Sequence, residues 1–268
     1  MSVFALLALA AVMTALLMGT VWVVAVRIRN AGIVDIAWAA SFAPIALLFA
    51  ALGPGAPPRR LLVALMVSAW SLRLATYLYR RVMGHHPVED TRYQDLRARW
   101  APNADARFFW FFQVQALAVV ALSVPFALTA TNPEPSLGPF EWAGLLLWFI
   151  AVAGEATADR QLELFKADPQ NVGRLCEVGL WNYSRHPNYF FEWLAWCAYA
   201  LFALDSPWGW VALYCPAVML YLLLRVTGIP ALEEAAVRRR GSAYRRYQQT
   251  TSAFVPWIKR RSPSDVAR

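Results

Sequence analysis

Long apolar blocks alternate with short polar segments along the whole chain. The first block, residues 3–26, holds about 24 mostly apolar residues, and several later blocks approach that length. A helix that crosses a bilayer needs about 20 such residues. The pattern therefore predicts an all-α integral membrane bundle of about seven transmembrane helices in a single polytopic domain, residues 1–268. The predicted spans are residues 3–26, 33–52, 61–79, 108–130, 140–156, 188–204 and 207–226, and a polar cytoplasmic tail covers residues 227–268.

The composition supports a membrane protein. Of the 268 residues, 59% are hydrophobic and 13 are tryptophan, and the mean hydropathy is +0.40, which is more apolar than a soluble domain requires. The formal charge is +8, yet only 16% of the residues are charged. Charge of this kind, confined to loops, suits the cytoplasmic side of a membrane better than nucleic acid, so no nucleic-acid partner is predicted. The three cysteines form no Cys-x-x-Cys pair, and we predict neither a disulfide nor a metal site.

The basic residues predict the orientation. With the N-terminus outside and the C-terminus in the cytoplasm, 22 of the 25 lysines and arginines fall in cytoplasmic segments or, for Arg225, at the cytoplasmic end of the last span. Arg59 and Arg60 fall outside, and Arg73 falls within a span. This bias is the one that orients membrane proteins. In the first block the positive charge follows the apolar run, which favours an uncleaved span over a signal peptide.

A polar, aromatic-rich segment, Gly179 to Glu192, interrupts the apolar blocks. Pro187 disfavours a helical conformation at His186 and suits the first turn of a new helix. The segment therefore predicts a loop at the membrane surface and a helix from about Asn188. Arg185 and His186 beside a helix N-terminus suit an anionic ligand such as a phosphate. The alternative is that these two side chains only anchor the loop at the headgroups.

Polar residues also occur inside the second and third predicted spans. Asp35 and Trp38 lie near the cytoplasmic end of the second. A carboxylate there is costly unless it is paired, faces a polar cavity or caps the helix. Arg73 and Tyr77 of the third are four residues apart and share one helix face. The Arg73 side chain either faces the interior of the bundle or extends along the helix so that its guanidinium lies at the lipid headgroups.

The loop over residues 82–107 is too polar to span and too aromatic for a free linker. Its residues Glu89, Asp90, Arg92 and Tyr93 predict a docking segment or part of a polar pocket. The pair His85-His86 has no other histidine nearby, so no metal role is predicted.

The fifth predicted helix continues beyond the membrane as an amphipathic extension. Glu155, Asp159, Leu162 and Lys166 fall on one stripe at spacings of four, three and four residues. Either this is a solvated surface, or the two carboxylates accept hydrogen bonds from a ligand amide or ribose. In the tail, Pro230 is expected to open a helix and Gly241 to end or break it. A basic tail beside a membrane is also typical of anionic-lipid binding.

The central segment carries a resemblance to a known family. Its sequence Gly-Leu-Trp-x-Tyr-Ser-Arg-His-Pro-Asn-Tyr, followed by Glu192, resembles the C-terminal signature of the steroid 5α-reductase superfamily, which includes the sterol C14 and Δ7 reductases. More closely, the chain resembles a bacterial branch known as a domain of unknown function with a steroid-reductase-like C-terminus. Further matching stretches are residues 32–38, 70–74, 89–93, 158–166 and 244–256, so the resemblance covers nearly the whole chain.

The resemblance implies an NADPH-dependent reductase of a carbon–carbon double bond. It implies that NADPH is held from the cytoplasmic side and that a lipid-like substrate (a steroid, sterol, isoprenoid or acyl enone) enters from the bilayer. It also implies a bacterial cell membrane as the location and membrane lipids as partners, with no oligomeric state indicated. The residues that match, or lie near, cofactor-binding positions are Asp159, Lys166, Arg185, His186, Asn188, Tyr189, Glu192, Arg239, Tyr244 and Tyr247.

The same resemblance assigns the reacting side. Asp35 is the candidate acid that polarises a conjugated carbonyl, and Tyr77 falls where the steroid reductases carry a tyrosine that faces cofactor and substrate. Trp38, Trp70 and Arg73 are the candidate substrate-binding residues. Trp70 replaces a second tyrosine of those enzymes, so a hydroxyl is missing there.

Two other functions remain open. Integral-membrane methyltransferases of the isoprenylcysteine and phospholipid types are similar in an Arg-His-Pro segment, a Glu-Glu pair and a Tyr-x-x-Tyr tail. Here Arg185, the pair Glu233-Glu234 and Tyr244 with Tyr247 would then bind S-adenosylmethionine. The third possibility is a non-catalytic lipid-binding protein that kept the fold.

Overall fold

A computed structural model describes residues 1–226 and 228–260. Within these residues the chain is helical and contains no strand, which confirms the predicted all-α class. The described α-helices are α1 (Val3–Ile28), α2 (Ile33–Leu52), α3 (Pro57–Met83), α4 (Thr91–Trp100), α5 (Ala104–Leu122), α6 (Val124–Thr131), α7 (Pro139–Ala167), α8 (Pro187–Ala203), α9 (Tyr214–Tyr221) and α10 (Ile229–Thr250).

Many of these helices are long and apolar enough to cross a membrane. In the described part of the chain, six segments meet that condition by length and composition. They are Val3–Ile28, Ile33–Leu52, Pro57–Met83, Ala104–Thr131, Pro139–Ala167 and Gly209–Thr250. The 17 residues of α8 match the lower limit of a spanning helix. The number agrees roughly with the predicted seven, and the chain is a helical membrane protein.

Several boundaries differ from the sequence-based expectation. The predicted loop over residues 82–107 contains the helix α4, because the Asp90 side chain accepts a hydrogen bond from the Arg92 backbone N–H and caps its start. The predicted span at residues 207–226 is a 3₁₀ segment, Gly209–Leu213, then α9, then a π-helical turn, Leu222–Val226. The continuation of the fifth predicted helix is confirmed, since α7 runs unbroken to Ala167.

The backbone divides into two compact units. Unit 1 comprises Met1–Gly138 and Ala203–Gly209. Unit 2 comprises Pro139–Phe202 and Trp210–Arg268.

In unit 1, α2 and α3 pack closely around a proline in α2. Pro44 lacks an N–H and crowds the preceding turn, which opens the helix there. The Ser71 hydroxyl of α3 enters this gap, donates to the Ala39 carbonyl at 2.6 Å and accepts from the Ala43 N–H at 3.2 Å. The proline kink in α2 is therefore closed by a side chain from its neighbour.

Unit 1 also explains the two arginines on the predicted outer side. Arg59 is 1% exposed and donates to the carbonyls of Glu134 and, at 2.7 Å, Ser136. Arg60 donates to the carbonyls of Ala50 and Gly53 at 2.8 and 2.6 Å. Both guanidinium groups satisfy loop and helix-end carbonyls, so they depart from the charge bias for a structural reason.

Candidate functional site

In unit 2, residues 179–186 form the loop that precedes α8, which we call the central loop, and hydrogen bonds hold it against α7. Gln161 accepts a hydrogen bond from the Leu180 N–H at 2.8 Å, and the Trp181 indole donates to the Ala158 carbonyl at 2.9 Å. Gly179 has a positive φ of 53°, which glycine tolerates without strain. The next helix begins at Pro187, within one residue of the predicted start. The loop is therefore a rigid connection that sets the position of Arg185 and His186.

The Glu233 carboxylate lies at the centre of a buried polar network. Arg185 donates to it through Nε at 2.6 Å and through a terminal nitrogen at 2.9 Å. Tyr244 donates its hydroxyl at 3.2 Å and Gln248 its amide at 2.8 Å. Nε2 of His186 lies 3.1 Å from Glu233 Oε1. We call these five side chains the Glu233 hub.

Arg185 is engaged entirely within the protein. Its remaining terminal nitrogen donates to the carbonyls of Gln248, at 3.1 Å, and Thr251. Its side chain is 8% exposed. These contacts join the central loop to the C-terminal helix, a structural role that neither sequence-based interpretation of Arg185 included.

The hub requires a sharp bend in α10. A straight helix would separate residues 233 and 248 by about 22 Å, at 1.5 Å per residue. Their side chains are instead hydrogen-bonded. The bend lies at Gly241, which has φ 54° and ψ −125°. Residues other than glycine rarely adopt this backbone conformation. The predicted break at Gly241 is thus confirmed, and it folds the two arms of α10, residues 229–240 and 242–250, back on each other.

The segment after α10 pairs with the central loop. The Arg185 N–H donates to the Ser252 carbonyl, and the Ser184 hydroxyl donates to the Phe254 carbonyl, each at 2.8 Å. The Trp257 N–H donates to the Tyr183 carbonyl at 2.9 Å. The C-terminal segment is therefore part of the folded unit.

A second polar group lies between α7 and α8. Asn188 donates to Asp159 at 3.3 Å, and Trp148 donates to the Tyr199 hydroxyl at 3.0 Å. These two contacts are 11 residues apart on each helix and run in opposite directions, so α7 and α8 are antiparallel. We call this interface the α7–α8 seam.

The same register brings two buried carboxyl groups to one level of the seam. Glu155 lies four residues before Asp159, and Glu192 lies four residues after Asn188, so Glu155 and Glu192 fall opposite each other. Glu155 is 3% exposed, Asp159 5% and Glu192 6%. The Trp196 indole donates to Glu192 at 2.9 Å. The seam thus presents an amide and three carboxyl groups within two helical turns.

The other cofactor residues implied by the resemblance are also in unit 2. The Tyr189 ring stacks on His186 with 5.8 Å between centroids. Tyr247 is 4% exposed and donates its hydroxyl to the Trp181 carbonyl. Lys166 and Arg239 are exposed.

In unit 1, Asp35 is bound by three donors from two elements. Tyr93 donates to one carboxylate oxygen at 2.6 Å. Arg92 and Arg81 donate to the other at 3.0 and 3.2 Å. Two ion pairs and a hydroxyl donor engage both oxygens of this side chain, and they fasten α4 to α2 and α3. Of the three options for Asp35, the contacts correspond to the paired carboxylate.

The pKa values of Tyr93 and Asp90, in the segment that contains α4, are shifted from their usual values. Burial, together with the charge of Asp35, raises the pKa of the Tyr93 hydroxyl well above its usual value, so this group stays a donor. Burial opposes ionisation of Asp90, but the hydrogen bonds and charge of Arg92 outweigh it and lower the pKa of the Asp90 carboxyl. The negative charge of Asp90 and the positive charge of Arg92 therefore stabilise each other.

The same segment docks a second time through Glu89. This carboxylate is 8% exposed and accepts from the Ala31 N–H at 2.7 Å and from two Arg97 nitrogens at 3.0 and 2.9 Å. The predicted docking role of residues 82–107 is thereby confirmed. The hydrogen bond to Glu89 raises the pKa of Arg97.

The predicted substrate residues also lie in unit 1. Trp70 is fully buried, 5.3 Å from the Phe42 ring, and Trp38 lies 5.0 Å from the same ring. Trp70 thus belongs to an aromatic core. Arg73 and Tyr77 are half-buried on α3.

Sequence reasoning did not identify Gln248 or Arg81 as members of these networks. It named Glu233 only as a possible S-adenosylmethionine-binding residue of the methyltransferase alternative. The Glu-Glu pair was the one local signal for Glu233. The bend that brings Gln248 to it depends on contacts distant in sequence.

Comparisons with known proteins place the chain in a family. It is 29% identical over 263 residues to an uncharacterized protein, C594.04c, of the fission yeast Schizosaccharomyces pombe. That alignment covers 88% of this chain and 75% of the yeast protein. No solved structure is significantly similar to the chain. Residues 21–251 match the family described as a protein of unknown function, DUF1295, and because the match covers most of the chain, this protein belongs to that family.

Proposed function

We propose that this protein is a membrane-embedded reductase of the steroid 5α-reductase superfamily, which uses NADPH to reduce a carbon–carbon double bond in a lipid-like substrate. The α7–α8 seam is the observation that carries this proposal. Its Glu155 and Glu192 are buried within the predicted spans 140–156 and 188–204, and the Asp159–Asn188 contact lies one helical turn away. Ionisable groups are costly inside a membrane helix, and they mark functional sites there.

The chemistry of the seam suits the cofactor. An amide such as Asn188 both donates and accepts, while carboxyl oxygens such as those of Asp159 accept hydrogen bonds. Together they complement a carboxamide and ribose hydroxyls. Exposed cations, Lys166 at the end of α7 and Arg239 on α10, suit the phosphate groups. The residues present therefore fit the dinucleotide.

Bound NADPH would supply the hydride for the reduction. The protein would hold the carboxamide and ribose through Asp159 and Asn188, and the apolar surroundings would exclude water. Reduction also needs a group that polarises the substrate carbonyl. Because the Asp35 side chain is already engaged by Arg81, Arg92 and Tyr93, we propose the Tyr77 hydroxyl, the other candidate implied by the resemblance, for this role.

The proposed location is the bacterial cell membrane, with the N-terminus outside and the cofactor side in the cytoplasm. The charge bias supports this orientation, since 22 of the 25 lysines and arginines fall in the predicted cytoplasmic segments or, for Arg225, at the cytoplasmic end of the last span.

The methyltransferase alternative assigns S-adenosylmethionine to Glu233 and Glu234. Glu233 receives donors from Arg185, Tyr244 and Gln248, and Glu234 pairs with Arg238 at 2.5 Å. Both carboxylates are thus engaged by the protein's own side chains, which is why the reductase is preferred.

Thermal unfolding of the detergent-purified protein tests the proposal. NADPH should raise the melting temperature more than NADH or S-adenosylmethionine, and Asp159→Asn should reduce that shift by weakening nucleotide affinity about tenfold, equivalent to one charge-assisted hydrogen bond. Asp95→Asn, an exposed substitution on α4, is the matched control and should respond like the parent protein. Stabilisation by S-adenosylmethionine alone would refute the reductase.

A further inference from the structure

The bend in α10 gathers positive charge at one place. Arg238, Arg239 and Arg240 precede Gly241, and Arg245 and Arg246 follow it. All five are exposed. We call them the basic tip.

The arginines of the basic tip lie within five residues of the bend. At 1.5 Å per residue, each lies within about 8 Å of Gly241 along its arm. This distance is close to the screening length at physiological salt, about 8 Å, so the arginines together produce one region of positive electrostatic potential. Arg240 also donates to the carbonyls of Gly173, at 2.8 Å, and Arg174, which brings the tip to a turn that carries another exposed arginine.

Few acidic groups oppose this charge. From Glu234 to Thr250 the sequence has five arginines and one acidic residue, Glu234, whose partner is Arg238. Arg245 and Arg246 project from the second arm with no acidic residue in that arm. The tip therefore presents a surface complementary to an anion.

The basic tip belongs to a helix next to the membrane. The apolar residues 209–226 immediately precede α10 in the sequence. Clusters of four to eight lysines or arginines in such a position are typical of binding to anionic lipid headgroups.

An exposed apolar surface adjoins the second arm. The segment after α10 returns to it, since the Arg260 N–H donates to the Thr250 carbonyl at 2.8 Å. Within this segment Trp257 is 67% exposed and Ile258 78%. With Tyr183 and Pro256 they line an open hollow of about 220 Å³. Tryptophan beside basic residues is characteristic of the membrane interface.

We propose that the basic tip and this hollow bind anionic phospholipid, which seats the bent α10 on the headgroups of the bilayer. The phosphate groups of the lipid would pair with arginines of the tip other than Arg239, which the proposed function assigns to the nucleotide, and Trp257 would enter the interface. This docking does not depend on the nucleotide or on the reaction.

Hydrogen exchange of the full-length protein in lipid nanodiscs tests this docking. Without nucleotide, amides of residues 242–250 should exchange about fivefold more slowly in discs that contain phosphatidylglycerol than in pure phosphatidylcholine, which is the effect expected of about one arginine at an anionic surface. Arg245→Gln with Arg246→Gln should abolish the difference. The control pair Arg99→Gln with Arg107→Gln removes equal charge from exposed positions of unit 1 and should preserve it.

Equal exchange in the two lipids would overturn the proposal. So would slower exchange in phosphatidylglycerol that persists in the Arg245/Arg246 variant, because the second arm would then be protected without its own arginines. Inorganic phosphate, added to phosphatidylcholine discs at matched ionic strength, separates the two phosphate sources. Protection by phosphate equal to that by the lipid would assign the tip to a soluble ligand and also overturn the proposal.

Discussion

The Glu233 carboxylate accepts hydrogen bonds from side chains of two chain segments, the central loop and the second arm of α10. Its side chain is 14% exposed and that of Arg185 is 8% exposed, so the ion pair is largely screened from water. Removing one charge of such a pair leaves the other uncompensated, whereas the pair as a whole contributes less. The loss of one charged side chain of the hub is therefore expected to destabilise the protein more than the intact pair stabilises it.

Glu233→Gln preserves the shape of the hub but removes its negative charge. Arg185 then stays buried without a counter-charge, and we expect a loss of about 3 kcal/mol in unfolding free energy. Thermal or denaturant unfolding in detergent would measure it. Glu234→Gln is the control, because its partnership with Arg238 is exposed to solvent and contributes about 0.5 kcal/mol or less. Equal effects of the two substitutions would show that the hub does not stabilise the fold.

Tyr93→Phe tests the anchor of α4. It removes the hydroxyl that donates to Asp35 at 2.6 Å, and a hydrogen bond to a charged acceptor contributes about 1.5–3 kcal/mol. We expect a lower melting temperature and faster hydrogen exchange in residues 91–100. Tyr79→Phe changes an exposed hydroxyl, 56% accessible as a residue, and should leave both unchanged. A Tyr93→Phe protein indistinguishable from the parent would contradict the anchoring role.

Helix α10 shows how one backbone position determines an arrangement of distant side chains. The Gly241 conformation folds the two arms together, and this brings Tyr244 and Gln248 to Glu233. A Cβ at Gly241 would meet no atom within 4 Å. The requirement for glycine is therefore one of backbone conformation alone.

Gly241→Ala is expected to destabilise the protein by about 1–3 kcal/mol, because alanine is strained at a φ of 54°. Gly19→Ala provides the comparison, since a Cβ there also meets no atom but the position is an ordinary helical one. That change should be neutral or stabilising by about 0.5–1 kcal/mol. Unfolding of both variants, measured under one condition, gives the difference. A neutral Gly241→Ala would mean that the bend tolerates a side chain.

Helix boundaries set by local sequence were predictable, whereas contacts that depend on how two helices align with each other were not. The stripe of Glu155, Asp159 and Lys166 predicted the continuation of α7, and Pro187 predicted the start of α8. The opposition of Glu155 and Glu192 required the antiparallel register of two helices. The partners of Asp35 were likewise unpredictable, because Arg92 and Tyr93 lie 57 and 58 residues further along the chain.

For the molecule as a whole, the apolar blocks predicted a helical membrane protein, and the six candidate spans of the described residues agree with it. The function assigned to that protein depends on the cofactor. The predicted cofactor residues lie in unit 2, and three of them, Asp159, Asn188 and Glu192, belong to the seam between α7 and α8.

Identification of the bound nucleotide is the most direct measurement of this assignment. The protein would be purified in mild detergent and denatured, and the released small molecules would be identified by mass spectrometry. We expect NADPH or its oxidised form, in an amount that falls in the Asp159→Asn variant but not in the Asp95→Asn control. Release of S-adenosylmethionine instead would contradict the reductase, and release of lipid without any nucleotide would support a lipid-binding protein.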